Sequence, residues 1–200
     1  IAKIKNYNKG LPNSLRKSKV PMFYHMNTIR ILEDGVDTLK TLEHGNLKPY
    51  AILNLGKIKM DLNTPVPNSK NWIEEYGNLV RDKLQIWEVN ENEQYLFMKL
   101  VYGISDSFKF GIFNKKSLET VFIDQNGFEN NLDGGLPFWP RVIYNDSIMI
   151  ENVDAITLIN HVKSSNSVEL RKKYGEKFLR LEKLSSELDE ISNPVLVVLK

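Results

Sequence analysis

Short runs of alternating apolar and polar residues dominate the middle of the chain. Between Leu84 and Ile123 these runs cover residues 84–89, 95–102, 108–113 and 118–123, with a first turn placed at 90–93. Turn signals recur there about every eight to twelve residues, which is typical of antiparallel strands joined in a meander. A four-stranded meander of about 40 residues is also the unit from which β-propeller blades are built. The pattern predicts one such sheet over residues 84–123.

Further strand-like runs lie on both sides of this region. Residues 22–25 and 28–32 flank Met26-Asn27, a candidate two-residue hairpin turn, and residues 50–56 form another run. The stretch from Glu33 to Asn46 is interpreted as a longer connection. A second hairpin is predicted over 141–150 around Asn145-Asp146, and Ala2, Ile4 and Tyr7 could mark the end of a further strand.

Helical spacing occurs in three segments, residues 71–82, 154–163 and 166–191. Asp154 is a candidate N-cap, and Asn166 with Glu169 resembles a capping box. The last segment has a continuous apolar stripe: Leu170, Tyr174, Phe178, Leu181, Leu184, Leu188 and Ile191. The closing run Val195–Leu199 is entirely apolar, which predicts a strand buried on both faces.

Composition narrows the function classes. The 200 residues include 27 Lys and Arg and 25 Asp and Glu, a net charge of +2, with 42% hydrophobic residues. Such usage is typical of a folded domain and gives nucleic acid little to bind. No apolar stretch reaches the length of a membrane-spanning helix, and the lack of cysteine rules out disulfides and thiolate metal sites. Because the chain begins at Ile1, we expect it to be a piece of something longer.

The order of several short motifs resembles a known family. The motifs are Thr28–Ile31, Ala51–Lys57, Tyr95–Phe97, Asp133–Pro140 (Asp-Gly-Gly-Leu-Pro-Phe-Trp-Pro) and Asn193–Val198 (Asn-Pro-Val-Leu-Val-Val). Together they resemble the C-terminal half of the six-bladed β-propeller proteins common in Bacteroidetes, many of which are exported lipoproteins. The resemblance covers roughly residues 20–200.

The resemblance implies a mainly β fold: part of one propeller domain, with about three four-stranded antiparallel blades and helices on its flank. Blades are expected over 20–60, 84–123 and 136–200, the last one including helices 154–163 and 166–191. Since six blades need about 250 residues or more, the N-terminal blades would be missing from these 200 residues. Open blade edges would then favour self-association.

The resemblance also sets the functional expectations. The first is a non-enzymatic binding or scaffold module of the cell envelope, with a glycan, peptide or protein as its ligand. In that case the protein would be periplasmic or an outer-membrane lipoprotein whose anchor lies outside this segment. The alternative is a propeller enzyme that acts on glycans, lactones or peptides at the central channel. A third possibility is an assembly component with a large apolar surface patch.

Candidate site residues are few. The histidines His25, His44 and His161 lack metal-ligand spacing, no nucleophile or phosphate-loop motif occurs, and neither a catalytic residue nor a cofactor is predicted. Asp133, Phe138, Trp139 and Arg141 form the predicted ligand-binding set. For Asp133-Gly134-Gly135 the alternative is a tight glycine turn, and for Phe138-Trp139 it is a hydrophobic anchor beneath a loop.

Overall fold

The computed structural model describes residues 22–32, 37–61, 64–104, 108–123 and 127–200. Within these ranges the chain is mainly β, with antiparallel sheets and a few helices, so the expected fold class is confirmed at that level. The chain divides into two compact units, one ending at Phe122 and the other starting at Ile123. The predictions for Ala2, Ile4, Tyr7 and residues 20–21 lie outside the described residues.

The first sheet consists, in the described residues, of four sequential strands. They are β1 (Met22–His25), β2 (Thr28–Leu32), β3 (Thr38–Glu43) and β4 (Asn46–Ile52). Met26 and Asn27 both have positive φ, +46° and +59°, as a two-residue hairpin turn requires. This confirms the turn predicted from the sequence.

The strand β3 corrects the interpretation of Glu33–Asn46 as a longer connection. It pairs with both β2 and β4, and His44-Gly45 forms a second tight turn with φ of +48° and +79°. The strand is hard to recognise because a polar residue, Thr41, shares the buried positions with Leu39. The alternation of apolar and polar residues is therefore masked.

The second sheet contains β5 (Leu84–Glu91), β6 (Tyr95–Tyr102), β7 (Phe108–Asn114) and β8 (Thr120–Ile123), in sequential order. The turn predicted at 90–93 begins too early, because β5 continues through Glu91. The turn is formed instead around Asn92, whose side-chain oxygen accepts the backbone N–H groups of Gln94 and Tyr95. The helix α1 (Trp72–Val80) precedes this sheet and buries Tyr76 and Val80 beside Met60.

The first two sheets share one aliphatic core. Leu32, Leu39 and Leu53 of the first half meet residues of the second sheet in a single buried cluster, completed by Leu84, Ile86, Val89, Leu96, Met98 and Leu100. The side chains of both sheets that point into this cluster are leucine-rich, so burial of apolar surface is the main force that joins them. The core of the first unit thus lies between its sheets.

The second unit combines a sheet with helices. The third sheet has the order β11–β10–β9, formed by β9 (Val142–Tyr144), β10 (Ile148–Val153) and β11 (Val195–Leu199). Between β10 and β11 run α2 (Ala155–Val162), α3 (Ser167–Tyr174) and α4 (Glu176–Ser186). The core includes Val153 with Leu158 and Val162 of α2, packed against Leu181, Val195 and Val197.

The segment predicted as one helix over 166–191 is two helices. Gly175 separates α3 from α4 with φ +57° and ψ −128°, a conformation that glycine adopts far more readily than other residues. The apolar stripe runs across this break, which is why periodicity alone misses it. Ile191, the last residue of the stripe, lies beyond α4 and is 92% exposed. Neither Asp154 nor Asn166 makes a side-chain capping hydrogen bond within the described residues.

The strand β11 also differs from its prediction. It joins the last sheet, where it pairs with β10, but it is not buried on both faces. Val195 and Val197 pack in the core of the unit, whereas Leu196 and Val198 are exposed. An unbroken apolar run therefore does not here indicate a strand with two covered faces.

Candidate functional site

The inward face of the first sheet changes character along its length. Leu32 of β2 and its partner Leu39 of β3 form the apolar part. The next inward-facing pair along the same two strands is polar and consists of Arg30 and Thr41. Since alternate residues of a strand share a face, the arginine points toward the second sheet like the leucines. His25, at the end of β1, is buried on the same side.

The end of β5 provides the counter-charge. The side chain of Glu91 is 0% exposed, and its Oε1 accepts a hydrogen bond from Arg30 Nε at 2.7 Å. The second oxygen, Oε2, lies 2.8 Å from Lys115 Nζ and accepts a hydrogen bond from Tyr50 Oη at 3.0 Å. His25 Nε2 is 4.0 Å from Oε1. One carboxylate therefore links residues from three strands and a turn.

The cations in this cluster are themselves held in place. Arg30 donates from one terminal nitrogen to Thr28 Oγ1 at 2.9 Å and to Thr41 Oγ1 at 2.7 Å. The ring of Tyr50 covers its guanidinium, with 3.8 Å between Cζ and the ring centroid. Lys115 also donates to the backbone carbonyl of Asn92 at 2.6 Å. The guanidinium and the ammonium are thus fixed from several sides.

This arrangement suits a structural bridge better than an acid or base. Both carboxylate oxygens of Glu91 lie within 3.0 Å of donor groups from other strands or turns, so the carboxylate is engaged by the fold itself. A buried carboxylate without such partners would greatly reduce the stability of the fold, and the cations without the carboxylate would lack their counter-charge. The cluster, which we call the Glu91 cluster, therefore fixes how the first two sheets meet.

No local sequence pattern reveals the Glu91 cluster. Arg30 and Glu91 are 61 positions apart, and each occurs in a segment that reads as an ordinary strand or turn. The available signal was Arg30 itself, a charged residue at a position where alternation with Leu32 predicts an inward side chain. Such an inward charge calls for a buried partner.

The first of the predicted ligand-binding residues, Asp133, lies in a glycine turn of the second unit. Its Oδ1 accepts the backbone N–H of Gly135 at 2.9 Å. Gly134 has φ +78°, and a Cβ there would come within 2.6 Å of the Tyr174 ring. His161 Nε2 lies 2.8 Å from the carbonyl oxygen of Gly134. Asp133 thus takes part in a tight turn that packs against the helices.

Phe138 and Trp139 are buried side chains in this structure. The backbone of Phe138 pairs with that of Phe128 in both directions, at 2.7 and 2.9 Å. The Trp139 ring stacks on Phe128 with 5.8 Å between centroids, and its backbone N–H donates to Glu151 Oε2 at 2.7 Å. These contacts anchor the segment, and a ligand-binding role for the two rings stays a prediction.

Arg141 is the exposed member of the predicted set. Its backbone N–H donates to the carbonyl of Ile150 at 2.9 Å, which aligns it with the third sheet. The four residues therefore divide into a turn aspartate, a buried aromatic pair and an exposed arginine. In the described part of the chain, no group of three or more His, Asp or Glu side chains is placed to hold a metal ion.

Comparison with known proteins gives a fold relationship. No protein-family model matches the chain, and no curated protein matches it. A solved structure described as a "putative exported protein" from Bacteroides fragilis superposes with a TM-score of 0.52 at 13% sequence identity. The match covers 90% of this chain and 49% of that one, so this chain spans about half the length of the protein it resembles. At this identity the likeness shows the fold alone.

The helices give no indication of a membrane span. Among the described residues, no helix combines the length and the apolar character that crossing a bilayer requires.

Proposed function

We propose that this chain is the C-terminal half of a six-bladed β-propeller of the bacterial envelope, which acts as a non-enzymatic binding or scaffold module. The first two sheets have the size and the strand order of propeller blades, and they pack through one aliphatic core. The third sheet would belong to the last blade, with α2, α3 and α4 on its flank. The motif resemblance over residues 20–200 supports the same architecture.

The Bacteroides fragilis structure supports the proposed location. That protein is described as a "putative exported protein", and this chain covers about half of its length. A chain of about twice this length could supply the six blades of a complete ring. The propeller and its export are therefore consistent with one longer parent protein.

The Glu91 cluster is the observation that carries the scaffold function. Its fully buried carboxylate accepts hydrogen bonds from Arg30 and Tyr50 and lies 2.8 Å from Lys115 Nζ. The hydrogen bonds from Arg30 and Tyr50 to Glu91 thus hold the first two sheets together. A rigid frame of this kind positions surface loops for binding, which is the common use of such scaffolds.

Binding to a panel of soluble glycans and peptides, measured by calorimetry, tests the proposal. We expect at least one member of the panel to bind saturably. Mass spectrometry of the recovered ligand should show that it is chemically unchanged. Arg141→Ala should weaken that binding about tenfold or more, because exposed arginines are frequent binding hot spots. Lys172→Ala, an exposed cation on α3, is the matched control and should bind like the unaltered chain.

The opposite result has a clear form. Chemical turnover of a panel member would overturn the scaffold function in favour of the enzyme alternative. No binding to any member by the parent protein would overturn the binding function as well.

A further inference from the structure

The third sheet has an apolar face that points away from its helices. In antiparallel strands, directly paired residues point to the same side, and so do alternate residues along each strand. The pairing places on this side Val142, Tyr144, Ile148, Ile150, Asn152, Leu196 and Val198. We call this set the outer face of the third sheet. The opposite side carries Val153, Val195 and Val197, which pack with the helices.

The outer face carries no charged side chain at these positions, and four of its six apolar members are exposed, while Ile148 and Ile150 are half-buried. Leu196 is 65% exposed, Tyr144 59%, Val142 54% and Val198 49%. The single polar member is Asn152. Six contiguous apolar side chains across three paired strands are more than scattered surface hydrophobics, and patches of this kind mark sites that another surface covers.

The first unit shows how this chain covers such a face. There, rows of aliphatic side chains from one sheet meet rows from another, as Leu32 and Leu39 do with Leu84 and its neighbours. The outer face of the third sheet presents the same kind of row at the same strand spacing. Its own helices are occupied on the opposite side of the sheet, so its natural complement is a further sheet.

We infer that the outer face of the third sheet is covered by an aliphatic face of an antiparallel sheet from the rest of a longer parent polypeptide. This inference rests on the proposed function, because it takes the match to about half of the Bacteroides fragilis chain as the measure of what lies outside these 200 residues. It goes further by naming the surface that joins the two parts. A second copy of the chain and a lipid surface are the competing occupants.

Site-directed labelling tests the inference directly, because the 200 residues contain no cysteine. Leu196→Cys and Val142→Cys place single thiols on the outer face, and Ile191→Cys places one at a position that is 92% exposed as the matched control. Each variant is labelled with a maleimide, once in the 200-residue chain and once in the parent polypeptide. Thiol reactivity reports exposure, provided the protein stays folded. Any cysteine outside this segment is first replaced by serine in the parent.

The expected result is a difference between the two proteins. In the 200-residue chain all three thiols react at similar rates. In the parent, the outer-face thiols react at least about tenfold more slowly, while the Ile191→Cys thiol is unaffected.

Other outcomes overturn the inference in recognisable ways. If all three thiols in the parent are labelled equally, the outer face is not covered and the inference is wrong. This holds even if the circular dichroism and size of the parent show additional β-sheets. Protection in the 200-residue chain that rises with protein concentration assigns the face to a second copy, and protection that needs lipid vesicles assigns it to a membrane. A parent without additional sheets instead removes the proposed function itself.

Discussion

Glu91 is a buried acidic residue that is surrounded by hydrogen-bond donors and cations. Its side chain is 0% exposed, and the cationic side chains that lie against its two oxygens are Arg30 and Lys115. Glu91→Gln keeps the shape but leaves both cations short of a counter-charge. We expect it to lower the free energy of unfolding by about 3 kcal/mol, measured by urea denaturation.

Glu43→Gln is the matched control for that variant. Glu43 also forms an ion pair, with Lys48 at 2.8 Å, but both side chains lie at the surface. The pKa of Glu43 is lowered by its hydrogen bond from Lys48, which shows that the pair exists without making it important for stability. A loss as large as that of Glu91→Gln would contradict the special role of the buried cluster.

Tyr76 presents the opposite case, a buried polar atom that gains little. Its Oη is buried and has no hydrogen-bond partner among the described residues. Tyr76→Phe removes only this hydroxyl, so we expect the free energy of unfolding to stay equal or to rise by about 1 kcal/mol. Tyr24→Phe, which removes an exposed hydroxyl bonded to Asn27, is the control and should change little. A clear loss of stability in Tyr76→Phe would mean that its hydroxyl has a partner in the folded protein.

The same tyrosine has a pH signature. Burial raises the pKa of Tyr76 above its ordinary value of 10.0, with a smaller contribution from Asp61. The folded state therefore favours the neutral phenol, and its stabilising contribution is complete below the unfolded pKa and declines as pH rises through the folded one. Unfolding free energies measured from about pH 9 upward should fall less steeply in Tyr76→Phe than in the unaltered chain.

At the scale of elements, Gly175 decides how the last helices are arranged. A Cβ at this position would meet nothing within 4 Å, so only the backbone conformation resists substitution. With φ +57° and ψ −128°, an alanine would be strained by about 1–3 kcal/mol. We expect Gly175→Ala to destabilise the second unit by that amount, as measured by urea denaturation followed by circular dichroism.

A matched control separates strain from helix propensity. Lys177→Ala lies two residues on, at an exposed position of α4, and should change stability by less than about 0.5 kcal/mol. If Gly175→Ala were neutral or stabilising, α3 and α4 would be able to join into the single helix that the apolar stripe predicts.

At the scale of elements, local sequence patterns predict some turns and strands and miss others. Turns such as Met26-Asn27 and most of the strands were predictable because they depend on neighbouring residues. The strand β3 was not, since Thr41 takes a buried position that the pattern reserves for apolar residues. The break at Gly175 was missed because one glycine leaves the periodicity intact.

At the scale of the whole molecule, long-range contacts limit what the sequence reveals. The Glu91 cluster joins residues that are 61 positions apart, and no local pattern connects them. The predicted residues Phe138 and Trp139 attract notice as aromatic residues, yet aromatic content alone does not distinguish a binding platform from a core anchor. The β-rich fold class was recoverable from local periodicity, whereas the charged bridge required the arrangement of sheets.

The position of β11 in the chain has a consequence for the order of folding. It pairs with β10, but the whole segment from Asp154 to Pro194, with three helices, lies between them. Closing that loop costs roughly 2–3 kcal/mol more chain entropy than closing the three-residue turn between β9 and β10. We therefore expect the amides of β11 to become protected from hydrogen exchange after those of the β9–β10 hairpin during refolding. Simultaneous protection would instead indicate that the helices and the whole sheet form in one concerted step.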